Sequence, residues 1–168
     1  MPDRTHVKAS TTTVTVTKSQ SDLIALLRRY GCRDFGFDED PNGKEASVRF
    51  RITTGGRDLP VLMRVDIEAV YRALYPTPPK GYGSQRNKAL DARREQAQRT
   101  AWRLLIDWID AACSTTSIGL QSVEEVFMAH IVVRDHNDRP LRLIEAFHQM
   151  QANGSLPLAL PAGGSTRA

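Results

Sequence analysis

Nine side chains of this sequence have the types and spacing to hold an anion. They are Arg49, Arg51 and Arg64, then Lys80, Tyr82, Arg86 and Lys88, and finally Arg99 and Arg103. A guanidinium offers a planar fork of donors that matches a phosphate, and an ammonium adds a point charge. A tyrosine ring among such groups gives a base a surface to stack on. The chemistry this points to is contact with a polyanion, nucleic acid first.

The three groups sit in different local patterns. Arg49 and Arg51 alternate with Val48, Phe50 and Ile52, so they occupy the outward face of a strand, and Arg64 holds the same place on the next strand. Exposed strand positions also take charge for solubility and to protect edges, which is the competing reading. Lys80 and Tyr82 lie in PTPPKGYGSQ (76–85), the one internal loop with a mobile composition; a single-strand contact and a plain linker both fit it. Lys88, Arg99 and Arg103 fall within about 60° of one another on a helix at 100° per residue, away from its apolar stripe. The stripe is Leu90, Ala97, Ala101, Leu104, Leu105, Trp108 and Ala112.

Other reactive residue types form no constellation. Glu125 and His130 lack metalloprotease spacing, and His6, His136 and His148 have no partner pattern. Asp107 and Asp110 have no third carboxylate near them in sequence, so a solvated face is expected there rather than a metal. Trp102 and Trp108 sit inside the long helix and are expected as core or interface anchors. Nucleophile-elbow, Walker, dinucleotide-binding and CxxC motifs are absent. Neither enzymatic activity nor a cofactor is expected. Cys32 and Cys113 allow one disulfide, but two buried free thiols are the expectation.

The elements that must position these groups follow from periodicity. TVTVT (13–17) alternates β-branched residues and predicts a short edge strand. Ser19 with Asp22 predicts a capping box for a helix that buries Leu23, Ile24, Leu26, Leu27 and Tyr30 and ends at Gly31. Three strands follow. Phe35 and Phe37 mark the first, Ala46 to Ile52 the second and Leu59 to Val65 the third, with turns at Asn42-Gly43 and Gly55-Gly56. Residues 66–75 read as a short helix that buries Ile67, Val70, Tyr71 and Leu74 and stops at Pro76. The long helix covers 86–110 and reaches about Ser114. Ser122 caps another over 123–132, residues 135–138 turn, and Pro140 opens a last helix to about Ala152.

Composition is that of a globular protein: 168 residues, 40% hydrophobic and 25% charged, with 23 basic against 19 acidic residues. The expected organisation is a disordered stretch over 1–12, one α+β domain over 13–155 and a flexible tail over 156–168. No apolar run suits a membrane span or a signal peptide, so a cytoplasmic location and no membrane partner are expected.

The order of residues resembles an uncharacterised family of small phage and prophage proteins. The matching segments are Lys18-Ser19 with Ile24, Leu27 and Tyr30-Gly31, then Val48 and Phe50, then Arg93, Ala97, Arg99 and Trp102-Arg103. Glu124-Glu125, the run Phe127 to Val132, and Leu156-Pro157 with Leu160-Pro161 complete it. The resemblance spans about 14–161 and implies an accessory role among replication and recombination functions, not a defined activity.

The fold expected is α+β: an antiparallel sheet of three or four strands packed on one long helix and several shorter ones. Its partner is expected to be nucleic acid, with single-stranded DNA or RNA favoured. The alternative is a module that binds a larger host nucleic-acid-processing complex, with the same cationic face meeting acidic protein.

Overall fold

A computed structural model describes residues 7–135 and 137–153. The fold is α+β. Helix α1 (Val16–Arg29) leads into strands β1 (Arg33–Glu39), β2 (Glu45–Thr54) and β3 (Arg57–Asp66), followed by α2 (Ile67–Leu74) and α3 (Gly83–Ser117). Then come α4 (Val123–Phe127), a 3-10 turn (Met128–His130), strands β4 (Val132–Arg134) and β5 (Pro140–Arg142), and α5 (Leu143–Ala152).

The three long strands form an antiparallel meander in the order β1-β2-β3. Its hairpins close where turn chemistry demands. Gly55 and Gly56 both hold positive φ, 53° and 75°, between the paired residues Thr54 and Arg57, a conformation that side chains disfavour. Ala46, Val48, Phe50 and Ile52 of β2 are buried, as are Val61 and Met63 of β3, so one face of the sheet is the core face. Helix α1 brings Leu23 and Leu27 to it, and α3 brings Ala97, Ala101, Trp102 and Ile109. Trp102 meets Phe37 edge-on at 5.6 Å, and its indole N–H donates to Glu39 at 3.2 Å, so the buried ring leaves no polar atom unsatisfied.

Several local expectations are corrected. TVTVT is not a strand. The Thr15 hydroxyl accepts from the Lys18 amide at 3.2 Å and caps α1, so Val16 and Thr17 are its first turn and Ser19 is buried inside the helix. A lone β-branched run has no ladder partner here, whereas the cap and an apolar helix face both favour α. At the other end the Gly31 amide donates to Arg28 and the Cys32 amide to Leu27, a Schellman closure with Gly31 at φ 72°. The helix expected over 123–132 stops at Phe127, and Val132–Arg134 pairs with Pro140–Arg142 as a short hairpin before α5 begins at Leu143. Ile131 bridges to Val61, which docks this hairpin on the edge of β3.

The long helix extends to 35 residues, taking in Gly83–Gln85 from the expected loop. Its buried stripe runs through Ala97, Ala101, Leu105, Ile109 and Ala112, widened by Trp102, Ile106 and Cys113, whereas Leu104 is half-buried and Trp108 is 41% exposed. Residues 7–12, placed in the N-terminal tail by sequence, lie along α3. The Gln96 amide donates to the Ser10 and Thr12 carbonyls at 3.0 and 3.1 Å, and Lys8 pairs with Asp107 at 2.9 Å. Residues 1–6 and the tail 156–168 lie outside the described residues. Cys32 and Cys113 are free and buried, and the two thiols interact. That contact, reinforced by burial, pushes the Cys113 thiol up.

Candidate nucleic-acid interface

The sheet arginines are exposed as expected, but each faces a carboxylate. Arg49 pairs with Asp38, Arg51 with Asp34 at 3.2 Å and Arg64 with Glu145 at 3.1 Å. Acidic residues therefore intersperse this face. Asp34 sits at an irregularity in the β1–β2 pairing with φ 52°, and this left-handed residue turns its carboxylate onto the neighbouring strand. Arg49 lies across Gly36, where a Cβ would approach the guanidinium to 2.9 Å. Arg64 is held by α5, 81 positions away in sequence. The face is a set of neutral pairs rather than a cationic surface.

The stripe on α3 is also largely engaged by carboxylates. Arg99 is engaged by Glu95 and by Gln96, the latter at 2.7 Å, and its side chain is 21% exposed. Arg103 pairs with Asp107 at 3.3 Å, the carboxylate that Lys8 also holds. Of the predicted stripe, only Lys88 is exposed and outside any ion pair among the described residues.

The loop and the start of α3 behave differently. Lys80, Arg86 and Lys88 are exposed without a carboxylate partner among the described residues, and so is Arg94, which the sequence did not single out as a site residue. Arg93 takes another role. It donates to the Thr77 carbonyl at 2.7 Å with its guanidinium 4.9 Å above the Tyr75 ring, so it fastens the Pro-rich loop to the helix. Pro79 is buried beneath that loop. Tyr82 is the N-cap residue of α3, makes no side-chain capping bond and is 93% exposed. Gly81 and Gly83 on either side hold φ 109° and 57°, and this backbone carries the ring outward. At 100° per residue Arg86 and Lys88 point to different sides of α3.

Arg94 faces Lys44 across a cleft of about 480 Å³ between the β1–β2 turn, α2 and α3. Lys44 is also exposed and unpaired among the described residues, and Glu68 stands on the same wall. Sequence reasoning missed both cations. Lys44 belongs to a turn 50 positions from Arg94, and nothing local indicates that they line one cleft.

His130 is structural. It is half-buried and edge-on to Trp108 at 5.2 Å. Burial, then the neighbouring Arg142, pushes its imidazole below the ordinary histidine range. Among the described residues no three His, Cys, Asp or Glu side chains group to hold a metal, and Asp107 and Asp110 are occupied by basic partners. No helix among the described residues is long and apolar enough to cross a membrane.

No protein-family model, curated protein or solved structure matches this chain.

Proposed function

We propose that this chain binds nucleic acid through the Pro-Gly loop and the first turns of α3, using Lys80, Tyr82, Arg86, Lys88 and Arg94. One observation carries the reading. Most other basic side chains of the described residues are engaged by a carboxylate, while those of residues 80–94 are free of one and accompany a ring that is 93% exposed. Free cations follow a phosphate backbone, and an exposed ring stacks on an unpaired base, so a single strand is the favoured form. Backbone contact without base-edge readout makes binding tolerant of sequence. The proposed setting is the host cytoplasm and the DNA or RNA metabolism of a phage or prophage, following the resemblance in sequence. No chemical step is assigned to the chain in this role.

The test is fluorescence anisotropy with a labelled single strand and the corresponding duplex, each at two salt concentrations. Binding should favour the single strand, and log affinity should fall against log salt by about 0.7 per phosphate contact. Joint replacement of Lys80, Arg86, Lys88 and Arg94 by alanine should abolish binding, and the joint Arg49, Arg51 and Arg64 alanine variant should retain it. Undetectable binding at low salt, or equal loss in both variants, overturns the proposal.

A further inference from the structure

Six large apolar side chains stand exposed among the described residues, and four of them surround one end of the molecule. Trp108 on α3, Ile118 and Leu120 in the connection to α4, and Met128 just after α4 are 41, 76, 70 and 51% exposed. Beside them a groove of about 360 Å³ runs between α3 and α4. Its α3 wall is Trp108, Ala111, Ala112 and Thr115, a spacing of three, four and seven residues on one helix side, with Ala111 exposed and the buried Ala112 at its base. Glu125 and Val126 form the α4 wall. The two alanines make a low floor that lets another backbone come close, and Trp108 makes a high edge. That edge is fixed in place: the indole is edge-on to Phe127 at 5.9 Å and to His130 at 5.2 Å. A half-exposed tryptophan already held in one orientation has the character of an interface hot spot, because little freedom remains to be lost on binding.

The electrostatics select the occupant. Helix α3 ends beside the groove with no basic residue in its last turn, and its closing carbonyls are capped by the amides of Ile118, Gly119 and Leu120. Glu124 and Glu125 stand exposed at the start of α4, and capping hydrogen bonds from the Ser122 backbone and hydroxyl hold the Glu125 carboxyl below its usual range. A second copy docked face to face would bring these like charges together, which disfavours self-association through this face. We infer that the groove receives an amphipathic helix from a partner protein, with an aliphatic stripe against Trp108 and the alanine floor and lysine or arginine flanks toward Glu124 and Glu125. This face lies further along α3 than the free cations, about 20 Å from Arg94 and about 40 Å from Arg86 at 1.5 Å per residue. The inference does not depend on the nucleic-acid reading.

The probe is a synthetic leucine–lysine peptide of about five helical turns, with leucines at helical spacing, against a scrambled peptide of the same composition. Titration calorimetry with the full chain should detect the patterned peptide and favour it clearly over the scramble. Trp108→Ala should weaken binding by about thirtyfold. Because that substitution also removes packing, Ala111→Arg, which fills the floor at an exposed position, and Glu124→Lys should weaken binding with melting unchanged. Equal binding of the two peptides, or peptide binding indifferent to Ala111→Arg, overturns the inference. So does a dimer in sedimentation that Ala111→Arg disrupts, which would make the occupant a second copy. Peptide binding that appears only after truncation beyond Asn153 overturns it too, since the chain's own C-terminal segment would then be the occupant.

Discussion

The guanidinium of Arg93 lies 4.9 Å above the ring of Tyr75 and ties the exit of α2 to the third turn of α3. The same side chain donates to the Thr77 carbonyl at 2.7 Å. One arginine therefore sets the path of the loop that presents Lys80 and Tyr82, although it need not contact a ligand itself.

Arg93→Ala should lower stability by about 1–2 kcal/mol, from one cation–π contact and one charge-assisted hydrogen bond at a partly exposed site. It should also extend protease cleavage beyond the Lys80–Gly83 tip toward Pro76. In the unsubstituted protein cleavage should stay at that tip, because Pro79 is buried, and should fade when an oligonucleotide is bound. An unchanged cleavage pattern in the variant would show that the loop is held by other contacts.

Within the proposed interface, ring and charges should separate. Tyr82→Ala should cost about 1–3 kcal/mol of single-strand affinity while leaving the melting temperature and the salt slope unchanged. Arg86→Ala and Lys88→Ala should each reduce the magnitude of the salt slope by roughly one phosphate equivalent. Anisotropy titrations over a salt series check both. Unaltered affinity in Tyr82→Ala would reduce the loop to a connector.

Core and surface positions of α3 should differ sharply. Trp102→Ala should destabilise by about 3–5 kcal/mol and Ile109→Ala by about 2–5 kcal/mol, since both side chains are fully buried. Lys88→Ala should stay within about 0.5 kcal/mol. Urea unfolding measures all three, and the reverse ranking would mean that the faces of α3 are wrongly assigned.

His130 should make stability pH-dependent above the carboxylate range. Its folded pKa is depressed, so between that value and the ordinary histidine value of about 6.5 the unfolded chain binds more protons. Stability is thus fully present above about pH 6.5 and is lost as the pH falls toward the folded value. Melting at pH 7.5 and 5.5 should show a decrease that His130→Gln diminishes. An identical decrease in both proteins would assign the effect to other groups.

What the chain discloses by itself is what depends on near neighbours. Alternation in Ala46–Ile52 placed β2 and its buried face, two consecutive glycines set the β2–β3 turn, and three- and four-residue spacing located α1, α2 and α3. The Ser122 cap was equally legible, because the Ser122 hydroxyl and Glu125 amide that meet at 3.1 Å are three residues apart. Strands β4 and β5, three residues each, are too short to show a period and exist because Ile131 reaches Val61 across the fold. The charged positions required tertiary structure altogether. Composition counts cations but cannot tell which are neutralised. Asp34 and Asp38 come to Arg51 and Arg49 through strand pairing, and Glu145 comes to Arg64 from the last helix. Pairing engages the sheet face and most of the α3 stripe with carboxylates while Lys80, Arg86, Lys88 and Arg94 have none among the described residues. The same packing leaves Trp108, by periodicity a core residue, at the rim of a groove. A local repeat states which side of a helix is apolar, and only the surrounding elements decide how much of that side is covered.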